Sequence, residues 1–232
     1  MSDLFIRQAV RPLPVILLLD TSGSMYGEKI DALNLAVKKM IESFGKEDST
    51  ISEIYTAIIT FGGRVNLHTD ITPSRLIQFE NLDANGMTPM GGALKLCAEL
   101  INDKERWPKR SFRPTVVLVS DGEPNDDYKE ILTKFVTEGR TAQCDRWALA
   151  IGNDADHSLL EKFLTGQEKR VMEASDAAGI AKFFATVTNT TKMRSKEKDP
   201  NKIIVPVLND ILPLDNGGSN RTGDDSSPSP YF

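Results

Sequence analysis

Two uninterrupted apolar runs, each handing over to an aspartate, restrict this chain more than any other feature. Val15-Ile16-Leu17-Leu18-Leu19 runs into Asp20, and Val116-Val117-Leu118-Val119 runs into Ser120-Asp121. A strand that is apolar at every position is buried on both faces, which is the signature of a parallel sheet covered by helices. The segments between and after the two runs fit that frame. Ile30, Leu33, Val37, Met40, Ile41 and Phe44 recur at helical spacing, as do Leu94, Cys97, Ala98 and Ile101 within a helix over Met90–Ile101. Strands are expected at Leu13–Leu19, Glu53–Phe61, Pro114–Ser120, Arg146–Ile151 and Val171-Met172. Further helices are expected at Tyr128–Thr137, His157–Leu164 and Ala177–Val187. Gly62-Gly63 predicts a turn into Arg64–Leu67, a hairpin partner and hence one antiparallel edge strand. The expected fold class is α/β, doubly wound, with a mostly parallel sheet and helices on both faces. Such sheets bind ligands at the carboxyl ends of their strands, where Asp20 and Asp121 both fall.

The first of these ends reads Asp20-Thr21-Ser22-Gly23-Ser24. A carboxylate and two hydroxyls at alternate positions past a strand can converge on one side of a turn. Hard oxygen donors of this kind suit Mg²⁺, with Mn²⁺ or Ca²⁺ as alternatives. The bland alternative is local: Asp20 caps the turn, and Ser22 or Ser24 bonds nearby backbone. A Gly-rich loop, Gly86-Met87-Thr88-Pro89-Met90-Gly91-Gly92, offers one more hydroxyl at Thr88, unless Thr88-Pro89 merely opens a helix. Glu123, Asp126 and Asp127 follow Asp121 and read as a charge cluster at a helix N-terminus.

Asp20, Ser22, Ser24, Thr88 and Asp121 together resemble the metal-ion-dependent adhesion site of von Willebrand factor A domains, which combines D-x-S-x-S with a distant Thr and a distant Asp. The resemblance spans roughly residues 12–190 and implies the Rossmann-like fold of that family. It implies Ser22 and Ser24 as direct ligands, Thr88 as a direct ligand when a partner ligand is bound, and Asp20 and Asp121 as acceptors that orient metal-bound water. Gly23, Met25, Met87, Pro89, Gly122 and Glu123 would form the partner-binding rim. The flanking L-L-L-D-T-S-G-S-M, G-M-T-P and S-D-G-E-P are similar to bacterial TerY-like members associated with tellurium resistance and stress. That likeness implies an adaptor or scaffold beside a Ser/Thr protein kinase, a PP2C-type phosphatase or an AAA+ ATPase, in a stress-response, phospho-signalling or phage-defence setting.

Catalysis has weak support, and no catalytic residue is assigned. A haloacid-dehalogenase phosphohydrolase needs a second carboxylate two residues after the first, where Ser22 stands. An aspartic protease pairs two carboxylates in an all-β frame. The G-x-S-x-G elbow of a serine hydrolase and the lysine of a P-loop are both missing. His68 and His157 lack zinc spacing. The net charge of −5 argues against nucleic acid as a partner. No apolar run reaches the roughly 18–20 residues of a membrane span, and Met1-Ser2-Asp3 opens no signal peptide. Cys97 and Cys144 read as buried free thiols. A cytoplasmic location is expected.

Residues 1–191 are therefore expected to form the domain and 192–232 a tail. Lys192–Lys202 reads as a basic linker, and Ile203–Leu214 as a packed strap or a docking peptide. The end from Asn216 reads as disordered. A rival reading is a self-assembling structural protein, in which Asp210 or Asp215 of the tail fills a neighbour's metal site.

Overall fold

The computed structural model describes residues 10–204. Six strands form one sheet: β1 (Arg11–Asp20), β2 (Ser52–Gly62), β3 (Arg64–Pro73), β4 (Thr115–Ser120), β5 (Asp145–Ile151) and β6 (Met172–Ala174). Their spatial order is β3-β2-β1-β4-β5-β6. Only the edge pair β2–β3 is antiparallel, and the other four pairings are parallel. The helices are α1 (Glu28–Gly45), α2 (Met90–Asn102), α3 (Lys129–Thr137), α4 (Gly139–Ala142), α5 (His157–Phe163) and α6 (Ala177–Lys196). The doubly wound α/β architecture expected from the alternation is observed, including the antiparallel edge.

The period-2 pleat sends alternate residues of each central strand into separate cores. Leu13, Val15, Leu17 and Leu19 pack with Val117, Val119, Trp147 and Leu149 against α1 and α6. Ile16 and Leu18 pack with Val116, Leu118, Ala148 and Ala150 against α2, α3 and α5. Burial on both faces explains why the strands carry no polar stripe. β1 tolerates Pro12 and Pro14 because its pairing with β4 begins only at Val15; before that, Phe112 N donates to Pro12 O at 2.8 Å, a bond that uses a proline carbonyl and needs no proline N–H.

Several bounds differ from expectation. β3 continues to Pro73 instead of stopping at Leu67, through a register shift between Thr56 and Ile59 of its partner. α4 is a single turn that the residue pattern did not signal. The largest difference concerns Lys192–Lys196, expected as linker but forming the end of α6. Thr188, Thr191, Arg194 and Ser195 carry the buried face of this helix onward, and Lys192 and Lys196 clasp Glu47. The inward residues there are polar, so apolar periodicity could not reveal them. Trp107 is buried, with its Nε1 donating to Ser111 Oγ at 2.7 Å, so it packs a loop. Cys97 and Cys144 are buried free thiols. Among the described residues no helix is long and apolar enough to cross a membrane. Residues 205–214 of the expected strap, with Asp210, and Asp215 beyond them, lie outside the described residues.

Candidate metal centre

Three loops meet at the carboxyl ends of β1 and β4, which are neighbours in the sheet. The turn after β1 supplies Ser22 and Ser24, the loop before α2 supplies Thr88, and the end of β4 supplies Asp121. Backbone hydrogen bonds lash the first two loops together. Gly23 N donates to Gly86 O at 2.9 Å and Asn85 N to Thr21 O at 2.8 Å, and the β2–β3 turn joins the second loop through Gly63 N to Met87 O at 2.7 Å. The approach is too close for side chains. A Cβ on Gly62 would lie 2.0 Å from Thr21 O, and one on Gly86, whose φ is +70°, would lie 2.3 Å from Gly63 Cα.

The loop after β4 closes the third side. Asn125 N donates to Thr88 O at 3.1 Å. Asp126 accepts Gly91 N–H at 2.9 Å and Gly92 N–H at 2.8 Å, one on each carboxylate oxygen. Asp126 thus caps α2, not the α3 that follows it in sequence, and so fixes the helix on which Thr88 is mounted.

The side chains form a continuous polar chain. Asp20 Oδ1 accepts Ser22 N–H at 2.9 Å, and its Oδ2 accepts the Ser120 hydroxyl at 2.6 Å. Ser22 Oγ and Ser24 Oγ lie 3.0 Å apart. Ser24 Oγ donates to Asp121 Oδ1 at 2.8 Å, and Lys29 Nζ donates to Asp121 Oδ2 at 2.6 Å. Asp20 and Asp121 are 0% and 1% exposed, and Thr88 is also buried. Burial pushes the Asp20 carboxyl above its ordinary range, against the hydrogen bonds from Ser120 and Ser22, and the Asp121 charge adds to the rise. Two buried carboxylates beside one lysine leave the cluster short of positive charge.

This donor set fits a small hard cation. Two adjacent ligands of an octahedral Mg²⁺ at 2.0–2.1 Å stand about 2.9 Å apart, close to the Ser22–Ser24 spacing. Among the described residues no group of three or more His, Cys, Asp or Glu side chains can hold a metal. A cation here would depend on hydroxyls and would keep its charge largely unneutralised.

All five residues expected at the site are brought to this end of the sheet. Gly23, Met87 and Glu123 are exposed around it, with Pro89 and Gly122 half-buried. Met25 is a correction. Its side chain is completely buried in the core beneath the turn, so it cannot touch a partner. Its neighbour Tyr26 is 82% exposed. Residue-level reading also missed Ser120, Lys29 and the capping role of Asp126. Ser120 could have been found by noting a hydroxyl directly before a strand-end carboxylate.

Comparison with known proteins agrees with this geometry. The von Willebrand factor type A domain profile matches residues 15–186. Mouse inter-alpha-trypsin inhibitor heavy chain 4 is 27% identical over 192 residues, covering 75% of this chain and 20% of that protein. The chain thus spans about a fifth of the length of the curated relatives it matches. A von Willebrand factor type A structure from Catenulispora acidiphila superposes with a TM-score of 0.58 at 19% identity, covering 78% of this chain and 43% of that one. Proximal thread matrix protein 1 from the mussel byssus, solved with a zinc-occupied MIDAS motif, superposes with a TM-score of 0.58 at 14% identity. It covers 81% of this chain and 46% of that one. Domains of this kind often bind a divalent metal at that motif and commonly mediate protein–protein contacts. By the match of its profile and the doubly wound sheet beneath it, the chain belongs to the von Willebrand factor type A domain family.

Proposed function

We propose that the chain is a metal-dependent protein-interaction module, with Asp20, Ser22, Ser24, Thr88 and Asp121 holding a divalent cation, Mg²⁺ in the first place. The observation that carries this reading is the 3.0 Å hydroxyl pair of Ser22 and Ser24, flanked by two buried carboxylates. Ser22, Ser24 and Thr88 would bind the ion, while Asp20 and Asp121 would hold its water. A cation held mainly by neutral hydroxyls retains affinity for an external carboxylate. An Asp or Glu of a partner would complete the shell, and the exposed Tyr26 and Met87 would pack around it. Glu123 on the rim disfavours partners with dense negative charge and so helps select among them.

The finer reading is an adaptor or scaffold of the TerY-like kind, cytoplasmic, working with a Ser/Thr kinase, a PP2C-type phosphatase or an AAA+ ATPase. Its support is the run of motifs L-L-L-D-T-S-G-S-M, G-M-T-P and S-D-G-E-P. The test is affinity capture with wild type and an Asp20→Ala, Ser22→Ala double variant, each in Mg²⁺ and in excess chelator. Partners retained only by wild type with Mg²⁺ support the reading. An identical set under all four conditions overturns it.

A further inference from the structure

Asp121 is shared. One oxygen takes the Ser24 hydroxyl, and the other takes the Lys29 ammonium at 2.6 Å. Lys29 reaches it from the first turn of α1. The Asp121 side chain is wholly buried, whereas that of Lys29 is 36% exposed. The ammonium also lies over the end of β5, where a Cβ on Gly152 would come within 3.8 Å of Nζ. Glycine at that position leaves the lysine uncovered. One end of this ion pair is therefore fixed in the core, and the other is a flexible four-carbon stem with a route to water.

We propose that Lys29 is a built-in counter-cation that Asp121 exchanges for a divalent metal. Without metal, the ammonium offsets the two buried carboxylates and keeps the strand ends of β1 and β4 together. An incoming cation must share Asp121 with a positive charge already in contact with it, or drive that charge into solvent. Both routes weaken metal binding by the isolated protein. A partner carboxylate adds the negative charge that lets the two cations coexist, so metal and partner are retained together. This inference rests on the metal-centre reading given above.

The experiment is calorimetric titration of the full chain with Mg²⁺, using wild type, Lys29→Met and Lys29→Arg. Removing the charge should tighten Mg²⁺ binding by at least about tenfold, while Lys29→Arg should stay within about threefold of wild type. Metal-free Lys29→Met should melt at a lower temperature than wild type, and the gap between its metal-free and Mg²⁺-loaded melting temperatures should widen. An unchanged or weaker Mg²⁺ affinity in Lys29→Met overturns the proposal, because the lysine then does not compete. If Lys29→Met does not fold, a Lys29→Arg affinity outside the threefold range, in either direction, overturns it as well. Absence of Mg²⁺ binding to all three proteins would overturn the metal-centre reading itself and this inference with it. Equal affinities remove only the role of Lys29.

Discussion

The two ends of the sheet treat buried charge in opposite ways. At the amino ends of β4 and β5, Arg146 and Arg194 are almost wholly buried, yet their guanidinium donors are satisfied from within the chain. Arg146 donates to the carbonyls of Phe163, Thr141, Ala142 and Thr165. Arg194 donates to Thr115 Oγ1 at 2.7 Å, Asp145 Oδ2 at 3.2 Å, and the carbonyls of Arg113 and Pro200. Lys169 and Trp147 Nε1 complete the surroundings of Asp145. At the carboxyl ends of β1 and β4, two buried carboxylates face hydroxyls, and Lys29 is the single cation hydrogen-bonded to them among the described residues. A closed network at one end serves stability. The other end, deficient in positive charge, is suited to accept a cation from solution.

Breaking the closed end should have the largest effect. Arg194→Ala leaves Asp145, Thr115 Oγ1 and the carbonyls of Arg113 and Pro200 short of a partner, and should cost about 3–5 kcal/mol in urea unfolding. A loss below about 1 kcal/mol would place Arg194 with surface ion pairs and remove the contrast. Metal addition should act at the other end. Mg²⁺ at about 100 times its Kd should stabilise wild type by about 2.7 kcal/mol, and the Asp20→Ala, Ser22→Ala variant by nothing measurable. Equal stabilisation of both proteins would mean that the ion binds elsewhere.

Smaller effects sharpen the picture. Asp126→Ala removes the cap on two N–H groups of α2 and should cost about 1–2 kcal/mol, with weaker Mg²⁺ binding because Thr88 loses its anchor. Unchanged Mg²⁺ affinity would separate the cap from the site. The smallest effect concerns pH. Asp20 has a folded-state pKa above its unfolded value, so the native state takes up a proton first and its stability falls as pH rises through that window. Asp20→Asn removes this dependence. In chelator, the stability of the variant relative to wild type should therefore rise from acid pH toward neutrality. A constant difference between the two would show that Asp20 is not perturbed by burial.

The sheet was legible because Val15–Leu19 of β1 and Val116–Val119 of β4 are apolar without interruption, as a strand covered on both faces requires. The meeting of the five candidate site residues at one end of the sheet was legible because their types and order resemble a known motif. Their supports were not. Lys29 meets Asp121 across 92 residues, Ser120 meets Asp20 across 100, and Asp126 reaches Gly91 across 35. Only Ser120 carries a local cue, a hydroxyl directly before a strand-end carboxylate, and no local pattern names the partner of any of the three. Met25 misled because adjacency to Ser24 does not say which way a side chain turns, and the short helical turn Gly23–Met25 sends it inward. The end of α6 escaped because Arg194 and Ser195 face the interior through hydrogen bonds, which hydrophobic periodicity cannot register.

The hydrogen bond between Ser120 and Asp20 also has a consequence during synthesis. A nascent chain carries Asp20, Ser22 and Ser24 long before β4 exists, and its strand end then has neither Ser120 nor Asp121. At about 5–20 residues per second, roughly 5–20 s separate the appearance of the motif from that of its other half. Until then the metal centre proposed above would have only Asp20, Ser22 and Ser24, so binding of metal or partner there would wait until β4 has been made.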